Sequence, residues 1–208
     1  MNEKIVYSDI IKTAWKGLIS QIWLLAGLLI GFTIIYSLLS LFATPAQGEP
    51  IRISGVIVMI LSFLLACIFM MGYLRNCMQT LDREEPQFSA YGQVAGKLLI
   101  YIGAYLLLLI LVSIGFALLV LPGFYLTLRF QFFVALIIDD DADVITSLKR
   151  SWAITKGHTF RLFVVFLIQF LIILIGTMAF GIGLFVAIPL TILMYACTYK
   201  ILNAPDAL

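Results

Sequence analysis

Six long runs of apolar residues constrain this chain more than any other feature. They extend over residues 18–43, 53–80, 97–120, 123–138, 159–176 and 184–201. A membrane-spanning helix needs about 20 mainly apolar residues, because the hydrocarbon core of a bilayer is about 30 Å thick. A helix also satisfies its own backbone hydrogen bonds in that core. The sequence therefore predicts an all-α, polytopic membrane helix bundle with about six transmembrane helices.

The composition excludes several other classes of protein. Of the 208 residues, 63% are hydrophobic and 12% are charged, against about 45–50% and 25% in soluble domains. The net charge of +2 is too small to indicate nucleic-acid binding. No polar linker separates two folded units, so residues 1–208 are predicted to form a single integral membrane domain. The first run is longer than a signal-peptide core, which favours a retained N-terminus.

The three cysteines are scattered along the apolar runs. Cys67, Cys77 and Cys197 show neither a disulfide framework nor the spacing of a metal site. We expect them to be buried thiols that behave as small hydrophobic side chains. The sequence thus predicts no metal and no cofactor.

Short amphipathic segments precede the first, third and fifth runs. They cover residues 7–17, 87–96 and 147–157, and we expect them to form interfacial helices on the membrane face. The segment Ile11–Trp15 resembles Leu148–Trp152, because both read aliphatic, Lys, any residue, small residue, Trp. This pattern suggests a threefold internal repeat of interfacial helix and hairpin over residues 7–81, 86–140 and 141–202. Chance similarity between two amphipathic helices is the alternative.

Pro122 and Gly123 divide an apolar stretch that would otherwise be too long. Residues 98–138 are about twice the length of one crossing. Proline removes a backbone donor and clashes with the preceding turn of a helix. We therefore expect a re-entrant turn at Pro122-Gly123, and further turns at residues 44–50 and 176–183.

The basic residues orient the molecule. With six spans, all of the 13 basic residues except Arg52 and Arg129 fall on the side of the N-terminus. Lys and Arg accumulate in loops that stay in the cytoplasm. The sequence therefore predicts a multi-pass protein of a bacterial cytoplasmic (inner) membrane, with both termini in the cytoplasm.

Arg129 is the residue that most invites a functional test. It lies about halfway along the fourth run, where an ionised side chain costs at least about 2.5–3.5 kcal/mol. A guanidinium can hold a phosphate with two parallel hydrogen bonds, so Arg129, Gln131 and Gln169 form a candidate intramembrane polar site. The alternative is a structural arginine bonded to backbone carbonyls or to Gln131.

Other charged and small residues have simpler interpretations. Asp139, Asp140, Asp141 and Asp143 precede a helix, so we interpret them as caps of that helix rather than as a hard-cation site. Arg75 is expected to extend to the headgroups from the end of its span. The GxxxG pair Gly27 and Gly31 permits close helix approach, and packing within the chain is preferred to a dimer interface.

A basic rim with two tryptophans is predicted on the cytoplasmic face. Basic groups near an anionic leaflet each contribute about 1 kcal/mol of attraction, and tryptophan favours the headgroup level. The candidate lipid-headgroup contacts are Lys12, Trp15, Lys16, Lys149, Arg150, Trp152, Lys156 and Arg161. Binding of a cytoplasmic protein is the alternative role of this rim.

The order of features between residues 121 and 165 resembles a known bacterial pattern. The features are Leu121-Pro122-Gly123, Tyr125, Arg129, Asp139, the segment Leu148–Trp152, and Thr155-Lys156-Gly157. This order resembles the DUF975-type proteins, the YciC-like inner-membrane proteins, and the membrane domain fused to some glycerophosphodiester phosphodiesterases. The resemblance implies an all-helical inner-membrane bundle. The phosphodiesterase barrel has no counterpart here, so the activity of the fused members is not implied.

Two functions fit these observations. The first is a non-catalytic membrane protein that interacts with phospholipids or scaffolds a protein partner of unknown identity. No Ser-His-Asp set, HExxH motif or phosphate loop can be assembled, so no enzyme is predicted. The second is a small transporter, or a lipid- or anion-translocating protein, that uses the polar site around Arg129. Translocation requires that Arg129, Gln131, Gln169 and Thr177 face one common cavity.

Overall fold

The fold is helical throughout the part of the chain that the computed structural model describes, residues 6–43, 53–179 and 181–204. The helices, in chain order, are α1 (Tyr7–Ala43), α2 (Ile53–Leu81), α3 (Ser89–Ala95), α4 (Leu98–Leu118), α5 (Val120–Phe130), α6 (Phe133–Asp139), α7 (Val144–Ile154), α8 (Thr159–Met178) and α9 (Leu184–Asn203). Six stretches are long and apolar enough to cross a membrane, namely α1, α2, α4, α8, α9 and the stretch Val120–Asp139 that contains α5 and α6. These findings confirm the predicted all-α bundle. The predicted turn at residues 44–50 lies outside the described residues.

The bundle is organised around α9 and the stretch formed by α5 and α6. In each of these, 50% of the most apolar window is buried inside the protein, against 6–22% in the other four candidate spans. The peripheral helices pack on this centre, since α1 contacts α9, α4 contacts α5, and α8 contacts both α5 and α9. Apolar faces that point outward carry no penalty in a bilayer, because lipid tails are as apolar as leucine.

The N-terminal segment forms a helix that a kink at Gln21 separates from the rest of α1, and its position at the membrane interface stays a prediction. Residues 7–17 belong to α1, which continues to Ala43 and bends at Gln21 (φ −132°, ψ 23°). The Ser20 hydroxyl donates to the carbonyl of Gly17 at 2.7 Å, which is the carbonyl that Gln21 would use in a regular helix. Such side-chain bonds compete with the helix ladder and bend helices. The part before the bend is buried against α2 and α9 through Ile10, Ala14 and Leu18.

The break in the long apolar stretch occurs at Leu119, three residues before the predicted position. Leu119 is extended (φ −164°, ψ 155°) and separates α4 from α5. Pro122 then lies in the first turn of α5, where a missing N–H leaves no hydrogen bond unmade. A Cβ atom on Gly123 would lie 2.4 Å from the ring of Phe116. The glycine therefore allows α5 to fold back closely on α4.

The basic amphipathic helix α7 is part of the bundle rather than a helix that rests on its face. It packs against α4, α5 and α6, and it buries Ser147, Leu148 and Ser151. The turn after α7 requires Gly157, whose φ of +82° lies in the left-handed region. The predicted amphipathic helix is present as Val144–Ile154, and its position at the membrane interface stays a prediction. The face of α7 that packs against these three helices carries the two serines.

The two segments that suggest a repeat have the same burial pattern. Ala14 and Ser151, which match in the two segments, are both fully buried, whereas Trp15 and Trp152 are both exposed. The middle segment forms the short helix α3. The threefold repeat stays a prediction.

Helices α8 and α9 form a hairpin in which two glycines bring the backbones together. A Cβ atom on Gly176 would lie 2.7 Å from the Cβ of Ala187 and 3.1 Å from the carbonyl oxygen of Gly183. Backbone atoms cannot move aside as a flexible side chain can. Close approach of this kind is typical of small residues between membrane helices.

We expect Gly176→Val to destabilise the protein by about 1–3 kcal/mol, the usual cost of overpacking a filled interface. The measurement is the free energy of unfolding in mixed micelles with increasing denaturing detergent. Gly27→Val is the matched control, because a Cβ atom on Gly27 meets nothing within 4 Å. An equal loss in both variants would contradict the packing argument.

All three cysteines are free and buried, as predicted.

Candidate functional site

An interruption between α5 and α6 leaves unpaired backbone groups inside the bundle. α5 ends at Phe130 and α6 begins at Phe133, with Gln131 and Phe132 in a turn between them. Every helix end exposes N–H and C=O groups that have no partner in the helix. In an apolar interior each unpaired group costs several kcal/mol, so other side chains must supply the missing bonds.

Side chains of α9 and of the α7 segment supply these bonds. The Ser151 hydroxyl donates to the carbonyl of Arg129 at 3.0 Å and accepts from the Phe132 N–H at 3.1 Å. The Thr155 hydroxyl lies 3.1 Å from the Arg129 carbonyl oxygen and 2.7 Å from that of Ser151, and its single proton serves one of them at a time. The Tyr195 hydroxyl donates to the carbonyl of Gln131 at 2.7 Å. The interruption is therefore held in place from two sides.

The side chain of Arg129 is buried without a carboxylate partner. It is 2% exposed, and its guanidinium carbon lies 4.1 Å from the ring centroid of Trp152 and 5.8 Å from that of Tyr125. Among the described residues no Asp or Glu pairs with it, and its Nε has no hydrogen-bond partner. A cation–π contact contributes about 0.5–2 kcal/mol, less than the several kcal/mol that burying an ion costs. The protein itself therefore leaves this charge incompletely compensated.

The two glutamines of the predicted polar site line a different space. A cavity of about 460 Å³ is bounded by residues of α2, α4, α8, α9 and the α5–α6 stretch. Its polar side chains are Tyr101, Gln131, Gln169, Thr191 and Tyr195, and the remaining wall is apolar. Gln169 donates to the carbonyl of Thr191 at 3.1 Å, and Gln131 donates to that of Leu128 at 3.0 Å. None of the residues that line this cavity is charged.

The structure thus separates Arg129 from Gln131 and Gln169. Residues two apart on a helix do not face each other; Gln131 points to α8 and α9, whereas Arg129 stacks on Trp152 of α7. Thr177 is exposed and bonds back to the carbonyl of Ile173. The four residues do not share one cavity.

The acidic cluster joins helices that are distant in the sequence. Asp139 pairs with Arg75 at 3.1 Å, Asp140 pairs with Arg150 at 2.8 Å, and Asp141 pairs with Lys97. The Lys97 ammonium also donates to the carbonyls of Ile137 and Ile138 at 3.0 and 2.9 Å, which lie in the last turn of α6. The hydrogen bond from Lys97 and its positive charge lower the pKa of Asp141.

These contacts correct the interpretation of the aspartates as caps. Asp143 caps α7 as expected, since its carboxylate accepts from the Thr146 N–H at 2.8 Å, and bonds from the side chain and backbone of Thr146 lower the pKa of Asp143. The other three aspartates do not cap this helix; they form ion pairs. Arg75 binds Asp139, and its contact with the headgroups stays a prediction.

Helix α9 completes this cluster. The Tyr199 hydroxyl lies 3.2 Å from a carboxylate oxygen of Asp140, and Asn203 donates to the same oxygen at 3.1 Å. Near the same end, Lys200 pairs with Asp82. The ends of α2, α4, α6, α7 and α9 are therefore linked by charge at one face of the bundle.

Most of the candidate headgroup contacts are accessible. Lys12, Trp15, Lys16, Lys149 and Lys156 are exposed, and Trp152 is 37% exposed although it also covers Arg129. Arg161 is half-buried. Arg150 differs from the others, because Asp140 and Asn203 bind its guanidinium. Contact of these side chains with lipid stays a prediction.

The GxxxG pair does not pack within the chain, so that prediction is wrong. A Cβ atom on Gly27 or Gly31 would meet nothing within 4 Å. Both glycines line an open, apolar groove of about 600 Å³ beside Trp23 and Phe69. The bend at Gln21 and the packing of α1 on α2 leave this face of α1 uncovered.

Several residues that hold the site were not selected from the sequence. Ser151, Thr155 and Tyr195 pair the backbone groups at the interruption, and Lys97 and Asn203 bind the acidic cluster. One local signal existed, since Ser147, Ser151 and Thr155 recur every four residues and so form a polar stripe on one face of α7. The partners of Ser151 and Thr155 at the interruption are 19 to 26 positions away and carry no local signal.

The comparisons with known proteins identify a family. No curated protein and no solved structure matches the chain significantly. The resemblance to the DUF975-type and YciC-like proteins stays a prediction. The profile of one family matches residues 85–205, a range that contains the second and third predicted repeat units and excludes the first. Because this match covers more than half of the 208 residues, the chain belongs to the family described as a domain of unknown function, DUF7847.

Proposed function

We propose that this protein is a non-catalytic, lipid-interacting protein of a bacterial cytoplasmic membrane, with both termini in the cytoplasm. The observation that carries the proposal is the central cavity of about 460 Å³, which is apolar except for a row of neutral polar groups. Its volume falls in the range of about 300–1,000 Å³ that small-molecule sites occupy. An apolar wall favours a hydrocarbon chain, and Gln131 and Gln169 favour a hydroxyl or carbonyl group on that chain.

The arrangement of charge supports this role over translocation of an anion. The residues that line the central cavity carry no charge, and Arg129 lies on the opposite side of the α5–α6 stretch, against Trp152. An ion that entered the cavity would lose its hydration without gaining a counter-charge. A neutral amphiphile would lose little, because its chain exchanges one apolar environment for another.

The distribution of basic residues supports the proposed orientation. Arg75, Lys97, Arg150 and Lys200 converge at one end of the bundle, where they pair with aspartates. Four further lysines are exposed. Two lie in the first part of α1 (Lys12 and Lys16), and two lie in or just after α7 (Lys149 and Lys156). Such a bias is typical of the cytoplasmic side.

We expect the protein to retain lipid when it is purified in a mild detergent. The double variant Gln131→Leu/Gln169→Leu should bind this lipid about 30-fold more weakly, because two neutral hydrogen bonds contribute about 1 kcal/mol each. Lipid extraction followed by mass spectrometry measures the amount and the class of lipid. Gln93→Leu is the matched control, since Gln93 is exposed on α3 and lines no described cavity. Equal lipid content in all three proteins, or no retained lipid in the unaltered protein, would overturn the proposal.

A further inference from the structure

The guanidinium of Arg129 differs from the other cations that the bundle holds. Arg75, Lys97, Arg150 and Lys200 each pair with an aspartate. Arg129 is more deeply buried than any of them. Its guanidinium lies over the rings of Tyr125 and Trp152, and its Nε has no hydrogen-bond partner among the described residues. A buried arginine without a protein anion has donors left for an anion from outside the protein.

A cleft next to Arg129 has the shape and chemistry to admit an anionic group that is attached to a hydrocarbon chain. It lies between α4, α5 and α7 and has a volume of about 450 Å³. Its walls are apolar apart from Lys149, and they consist of Leu111, Leu126, Phe130, Ile145, Leu148, Lys149 and Trp152. Trp152 belongs to both places, because it lines the cleft and covers the guanidinium of Arg129. Lys149 precedes Trp152 by three residues and therefore lies on the same face of α7.

We propose that Arg129 and Lys149 bind the phosphate group of an anionic phospholipid, whose acyl chain lies in the cleft between α4, α5 and α7. This proposal rests on the proposed function and names one lipid class for a second site. A planar guanidinium matches the oxygens of a phosphate, and the lysine adds a second positive charge at the open side. The apolar walls favour a lipid over a free anion, because only a lipid brings hydrocarbon to cover them.

Trp152 acts as a cover in this arrangement. Its ring lies 4.1 Å from the Arg129 guanidinium, which is otherwise almost fully enclosed. Phosphate reaches the guanidinium when the indole ring shifts. Because tryptophan fluorescence depends on contact with charged and polar groups, binding changes the emission of Trp152. The chain has three tryptophans, so a background with Trp15→Phe and Trp23→Phe isolates this signal.

The experiment is a titration of the purified protein with phosphatidylglycerol or phosphatidylcholine, measured by native mass spectrometry and by Trp152 emission. Phosphatidylglycerol binds more tightly than phosphatidylcholine, Arg129→Gln weakens phosphatidylglycerol binding by about tenfold or more, and Arg129→Lys keeps part of the affinity. Lys149→Gln weakens binding less, because Lys149 is exposed. Arg83→Gln is the matched control for charge, because Arg83 is exposed and is not one of the candidate headgroup contacts, and it has little effect.

Three results would overturn the proposal. In the first, Arg129→Gln binds phosphatidylglycerol as tightly as the unaltered protein. In the second, excess inorganic phosphate displaces the lipid, which would identify a site for a free anion. In the third, Arg129→Gln lowers the unfolding midpoint equally with and without phosphatidylglycerol, which would identify a structural arginine.

The same titration separates this proposal from the proposed function. Gln131→Leu/Gln169→Leu alters the central cavity and leaves binding of phosphatidylglycerol at Arg129 unchanged. If that variant loses its retained lipid while Arg129→Gln changes nothing, only the site at Arg129 fails.

Discussion

Ser151→Ala is expected to lower the free energy of unfolding by about 2 kcal/mol, because the Phe132 N–H then has no partner in a buried, apolar place. The serine hydroxyl joins two groups of the interruption, since it accepts from Phe132 and donates to the carbonyl of Arg129. The Arg129 carbonyl still has the Thr155 hydroxyl 3.1 Å away as a donor, so the unpaired N–H accounts for most of the loss. Unfolding in mixed micelles, followed by circular dichroism, measures the change.

Ser147→Ala is the matched control for this effect. Both serines are fully buried on α7, but the Ser147 hydroxyl bonds only to the carbonyl of Val144 in its own helix. Removing this hydroxyl therefore leaves no backbone group of another helix without a hydrogen-bond partner. A loss as large for Ser147→Ala as for Ser151→Ala would show that the cost comes from the altered helix rather than from the interruption.

Lys97→Met is expected to cost about 3 kcal/mol, since hydrogen bonds from a charged donor contribute about 1.5–3 kcal/mol each. The ammonium donates to the last-turn carbonyls of Ile137 and Ile138 and pairs with Asp141. The variant leaves both carbonyls without their donor and removes the tie between α4 and α6. The free energy of unfolding in mixed micelles again measures the change.

Two further variants show which lost interaction accounts for the destabilisation by Lys97→Met. Asp141→Asn has a much smaller effect, because Asp141 is exposed to solvent and exposed ion pairs contribute little. Lys12→Met changes an exposed lysine in the same way and leaves stability nearly unchanged. If Asp141→Asn were as damaging as Lys97→Met, the ion pair rather than the carbonyls would hold the end of α6.

The arrangement of the acidic cluster illustrates why local interpretation failed there. A run of aspartates before a helix is read as a set of caps, and one of them, Asp143, does cap α7. The fold brings Arg75, Lys97 and Arg150 from three other places to the remaining three aspartates. Their side chains then gain charged partners, which a helix end could not have supplied.

Arg129 illustrates the same limit for the candidate site. Its position in an apolar run correctly indicated a buried charge, since the side chain is 2% exposed. The sequence grouped it with Gln131 and Gln169 because all three are polar residues in predicted spans. The direction of each side chain depends on the interruption at Gln131 and Phe132 and on the packing of α7, and neither follows from spacing along the chain.

The sequence alone determined the class of the fold, the candidate spans and the breaks between them. These depend on the length and hydropathy of each run and on the fixed preferences of proline and glycine, which are local properties. The tertiary structure alone decided which charges pair, which backbone groups are capped and which face of α1 stays open. Those outcomes depend on contacts between residues that are far apart in the sequence, such as Thr155 with Arg129 at 26 positions and Lys200 with Met78 at 122 positions. Such contacts form only once the helices have packed, because an apolar interior forces each buried polar group to find a partner wherever the fold places one.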